Sequence, residues 1–72
     1  MKANKFVISG LNDPNDVRNI EQSILHSHDG INAVRVDMEA STVTVDYDEG
    51  RYTEDDIKGF VTKTGFNVVK VK

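Results

Sequence analysis

The run Thr42-Val43-Thr44-Val45-Asp46-Tyr47 alternates without a break. Val43, Val45 and Tyr47 fall on one side, and Thr42, Thr44 and Asp46 on the other. Side chains on a strand point alternately to opposite faces, so this run needs a sheet with one buried face and one wetted face. Such a sheet is antiparallel and carries its helices on a single side. The rest of the chain must supply partners for this strand and a cover for its apolar face.

The partners are readable in order. Lys5-Phe6-Val7-Ile8-Ser9 is a short apolar run ending at Gly10, and reads as a central strand. Asp13-Pro14-Asn15-Asp16 is a helix start: Asp at the N-cap, Pro at the first helical position and a carboxylate three residues after the cap. Val17, Ile20 and Ile24 follow at helical spacing, and the helix fades over His26-Ser27-His28-Asp29 before Gly30. Ile31 to Met38 reads as a second strand, with Val34, Val36 and Met38 inward. Glu39-Ala40-Ser41 makes the turn into the alternating run. Thr53, with Asp56 three residues on, caps a second helix whose inward stripe is Ile57, Phe60, Val61 and Thr64, and Gly65 ends it. Phe66 to Val71 is the last strand.

Strand, helix, strand, strand, helix, strand within 72 residues has few compact solutions. Right-handed crossovers put both helices on the same sheet face. The expected fold is α+β, a ferredoxin-like β-α-β-β-α-β sandwich with a four-stranded antiparallel sheet, as one domain over residues 1–72. The expected core is Phe6, Ile8, Val17, Ile20, Ile24, Val34, Val36, Val43, Val45, Ile57, Phe60 and Val61, with Met38 as filler.

Composition excludes several classes of function. No cysteine is present, so disulfides, thiolate metal sites and thiol nucleophiles are all absent. Nine basic residues face twelve acidic ones, for a net charge of −3, and the basic ones form no stripe that tracks phosphates. With Thr, Arg and Asp on the open sheet face, base stacking also lacks its aromatics, so no nucleic-acid partner is expected. No apolar run reaches membrane-spanning length and no signal peptide is visible, so a cytoplasmic location without a membrane partner is the expectation. No Ser-His-Asp set, glycine-rich phosphate loop or paired-carboxylate cleft is present, and the first loop carries two negative charges, so the chain does not read as an enzyme.

The framework resembles the heavy-metal-associated (HMA) domain family, which includes copper chaperones, mercury-binding MerP-type proteins and amino-terminal modules of metal-transporting P-type ATPases. The likeness runs from about Phe6 to Val71. The family's Gly-Met-x-Cys-x-x-Cys stretch corresponds to Gly10-Leu11-Asn12-Asp13-Pro14-Asn15-Asp16, followed by Ile20-Glu21 for the hydrophobic-Glu pair. Gly30-Ile31, the strand pair ending in Tyr47-Asp48, and Gly65-Phe66 match further framework positions. The resemblance implies that both cysteine positions are occupied by aspartates, Asp13 and Asp16. Thiolates select soft metals, whereas carboxylates suit Mg, Ca and Mn.

Three groups of candidate residues emerge. Asp13 and Asp16 are either a hard-metal site or a helix cap, and Pro14 favours the cap. His26 and His28, near Asp29, are a second metal candidate, although residues two apart on a helix point to different faces. Leu11, Asn12, Phe66, Glu54 and Asp55 are candidates for docking a protein partner. The last two belong to an acidic segment with Asp46, Asp48, Glu49 and Asp56, which otherwise reads as a solvated surface. Phe66 is expected to pack beside Leu11. The expected function is a small non-catalytic HMA-like domain, metallochaperone-like but without the thiol site, acting through protein contacts. No cofactor is expected. The alternative is a divergent metal-ion-binding or metal-transport protein that takes a weak divalent ion through Asp13/Asp16 or His26/His28.

Overall fold

A computed structural model describes residues 1–72. The elements are β1 (Lys2–Ser9), α1 (Pro14–Leu25), β2 (Ile31–Asp37), β3 (Thr42–Tyr47), α2 (Glu54–Thr62) and β4 (Asn67–Val71). The sheet order is β2-β3-β1-β4, and every neighbouring pair is antiparallel. This is the expected ferredoxin-like arrangement.

The alternation of β3 positions the core. Val43, Val45 and Tyr47 pair with Val36, Val34 and Ile31 on one side, and Phe6 pairs with Val43 on the other. Ile20 and Ile24 from α1 and Ile57 and Val61 from α2 close over these residues. At roughly 1.5–3 kcal/mol for each fully buried large aliphatic side chain, this layer supplies most of the drive to fold. Ile31 and Tyr47 join the core, although the sequence reading left them out.

Four expectations are corrected. Val17 is half-buried and lies outside the core cluster. Met38 is not core filler: β2 ends at Asp37, and Met38 is 37% exposed in a turn where Ser41 takes a positive φ of 55°. The alternation of β2 therefore stops one residue before Met38. Phe66 precedes β4 rather than opening it. β1 begins at Lys2, not Lys5, because Lys2, Ala3 and Asn4 pair with Tyr47, Asp46 and Val45.

That longer strand buries Asn4. A buried amide is costly unless hydrogen-bonded. Here the Tyr47 hydroxyl donates to Asn4 Oδ1, and Asn4 Nδ2 donates to Glu54 Oε1 at 2.7 Å. The relay ties two strands to the first residue of α2. Burial raises the Tyr47 phenol above its ordinary pKa, and the Glu54 and Glu49 carboxylates add to the shift.

Candidate functional site

The loop from Gly10 to Asp13 joins β1 to α1. Gly10 has φ +99°, a conformation that side chains rarely adopt. A Cβ there would sit 3.4 Å from Phe66 Cδ1, so the Phe66 ring lies against the loop backbone. Leu11 and Phe66 are both half-buried and both pack onto the core, while Asn12 is exposed. Ser9 pairs with Asn67, and Ile8 N–H donates to Ser41 O at 2.9 Å. The loop thus shares one end of the sheet with the start of β4 and the β2–β3 turn.

Asp13 is the N-cap of α1, with extended backbone at φ −152° and ψ 169°. Its Oδ1 accepts from the N–H groups of Asn15 (2.8 Å) and Asp16 (3.3 Å). Asp16 reciprocates, its Oδ2 accepting from the N–H groups of Asn12 (2.9 Å) and Asp13 (3.3 Å). This is a complete capping box. An Asp stands in the position usually held by Glu or Gln. Both carboxylates also lie in the positive field of the helix N-terminus. Each of them turns one oxygen onto the backbone. No three His, Asp or Glu side chains gather anywhere into a group that could hold a metal ion. Asp13→Ala removes the cap, and urea melts should show a loss of about 1 kcal/mol in unfolding free energy. An unchanged midpoint would contradict the capping role.

His26 and His28 lie at the other end of α1, whose 12 residues span about 18 Å. His26 is the C-cap and is exposed. His28 is taken into an aromatic cluster. Its ring stacks on Phe60 with centroids 4.0 Å apart and 14° between planes. Tyr52 meets both rings edge-on, at 6.0 Å from His28 and 5.4 Å from Phe60. The Tyr52 hydroxyl donates to Asp29 O at 2.5 Å, which closes the turn before β2. The sequence reading missed this cluster. Tyr52 meets Phe60 two turns into α2 and His28 beyond the end of α1, contacts that no local spacing signals.

The docking candidates do not form one surface. Leu11, Asn12 and Phe66 lie at the Ser9 end of β1, whereas Glu54 is bonded to Asn4, about 17 Å away along the strand. Asp55 is exposed beside Glu54 in the first turn of α2. The topology puts the start of α2 at the opposite sheet end from the first loop. Most of the acidic segment is already engaged. Asp46 holds Arg35 through two contacts of 2.9 and 3.1 Å, which raise the guanidinium pKa further. Asp48 accepts from Gly50 N–H at 2.9 Å, and Asp56 Oδ2 accepts from the N–H of the cap residue Thr53 at 2.9 Å. Glu49 meets the terminal ammonium at 3.0 Å, a hydrogen bond that holds its carboxyl below the usual range.

No helix is long and apolar enough to cross a membrane. Comparison with solved structures gives close likenesses in fold. The CopZ metallochaperone superposes with a TM-score of 0.85 at 20% identity, over 94% of this chain and 100% of that one. A copper binding domain from a P-type ATPase gives 0.84 at 18% identity, over 100% and 99%. The N-terminal soluble domains of Bacillus subtilis CopA give 0.84 at 24% identity, over 94% of this chain and 46% of that one. No curated protein matches the chain in sequence. The family model of the heavy-metal-associated domain matches residues 5–67. The chain therefore belongs to the heavy-metal-associated domain family, in a form without cysteine.

Proposed function

We propose that this protein is a non-catalytic, cytoplasmic binding domain that acts through protein contacts and does not carry the soft metals of its relatives. The observation that carries the reading is the capping box. By the resemblance Asp13 and Asp16 take the positions of the motif cysteines, and each is bonded to two backbone N–H groups of the helix start. Cu(I) and similar ions select thiolates, and this chain has none. The residues present do not fit that cargo. A hard divalent ion would have to be met by the one remaining oxygen of each aspartate, far short of the six to eight oxygens of a calcium site. What the loop offers a partner is Leu11, Asn12 and Phe66, held by the Gly10 turn on a rigid sheet end. Glu54 and Asp55 would meet a partner only at the opposite end.

An amide-resolved NMR titration of the protein with Zn(II), Ca(II) and Mg(II) tests this. The expected result is no saturable shift between Leu11 and Val17. Saturable shifts centred there would replace the proposal with a retained ion site at Asp13 and Asp16. Saturable shifts confined to His26 and His28 would leave the loop metal-free and put a separate imidazole site at the far end of α1.

A further inference from the structure

A groove of about 200 Å³ runs between the two helices, lined by Ser23, Ser27 and His28 on one side and Phe60, Lys63 and Thr64 on the other. It uses no residue of the first loop. The chain as a whole is acidic, yet no carboxylate lines this groove, and Lys63 makes no ion pair. The two sides meet where His28 stacks on Phe60.

The hydrogen bonds fix the tautomer of His28. Ser27 Oγ donates its single proton to Ile24 O at 2.9 Å. The 2.8 Å contact between Ser27 Oγ and His28 Nδ1 must then have Nδ1–H donating. Thr64 Oγ1 donates to Val61 O and is also committed. The donors that remain for a ligand are the Lys63 ammonium and the Ser23 hydroxyl.

We propose that this groove binds a small aromatic carboxylate, its ring against the His28–Phe60 pair and its carboxylate on Lys63 and Ser23. Size supports a single ring, because the groove is smaller than the roughly 300–1,000 Å³ of sites for drug-sized ligands. Aromatic rings prefer offset or edge contacts with one another, which the exposed His28 provides.

The test is an amide-resolved NMR titration of the whole chain with sodium benzoate. Saturable shifts at the six lining residues are expected. Lys63→Ala is expected to weaken binding about tenfold through loss of a charge-assisted hydrogen bond, and the neutral isostere benzamide to bind weaker by a similar factor. Absence of saturable shifts would overturn the proposal, as would benzamide binding as well as benzoate, or Lys63→Ala binding as well as the wild type. Inorganic phosphate shifting the same amides at the same concentrations would also overturn it, reducing the groove to a general anion site.

Discussion

Phe6→Ala should lower unfolding free energy by about 3–5 kcal/mol, the largest single loss available in this domain. Phe6 is fully buried in β1, between β3 and β4. It pairs with Val43 on one side and Val71 on the other. Removing its ring withdraws contacts from both neighbouring strands at once, and a central strand cannot shift to fill the gap without breaking its two ladders. A chain of this length has only about 4–11 kcal/mol in total. The variant should therefore lose a large share of its stability, with its far-ultraviolet circular dichroism melt displaced far below that of the wild type. A melt within a few degrees of wild type would contradict the central placement of β1.

The second large effect is a gain. Asp13→Cys combined with Asp16→Cys places two thiols at the N-cap and the third helical position of α1, one turn apart. A helix N-terminus lowers thiol pKa and so favours the thiolate that ligates metal. Two thiolates also change the site from hard to soft. The variant should bind Cu(I) on the order of a thousandfold more tightly than the wild type, about 4 kcal/mol, in an anaerobic competition against a chromophoric chelator. Loss of the capping box should cost about 1 kcal/mol of stability in the metal-free form. Unchanged affinity for both Cu(I) and Zn(II) would break the positional match between this loop and the family's metal motif.

The fold was legible because its determinants are local. The alternation from Thr42 to Tyr47 specifies a half-buried strand. Asp13-Pro14-Asn15-Asp16 and Thr53 with Asp56 specify helix starts through bonds that span three residues, and the structure shows both capping boxes formed. What local pattern could not give depends on distant partners. Asn4 looks like a polar end to an apolar strand, yet it is buried because Tyr47 and Glu54, 43 and 50 residues away, complete its hydrogen bonds. Met38 continues an inward alternation by spacing, but the turn at Ser41 ends the strand before it. His28 reads as a polar residue at a helix end, and only the arrival of Phe60 and Tyr52 makes it part of a packed cluster.

The candidate site divides in the same way. The capping roles of Asp13 and Asp16 follow from spacing. That Leu11, Asn12 and Phe66 share one end of the sheet follows from strand register, which pairs Ser9 with Asn67. The same register sends Glu54 and Asp55 to the other end. Their acidity suggested a joint surface, but charge alone carries no information about which sheet end a loop occupies.

The most direct test of the central claim, that the first loop caps a helix and carries no soft metal, is anaerobic equilibrium dialysis of the wild-type protein against Cu(I). The expected result is no copper in the protein compartment beyond that in the protein-free one. A stoichiometric complement of copper retained by the chain would contradict it, and would mean that ligands other than thiolates hold the metal in this fold.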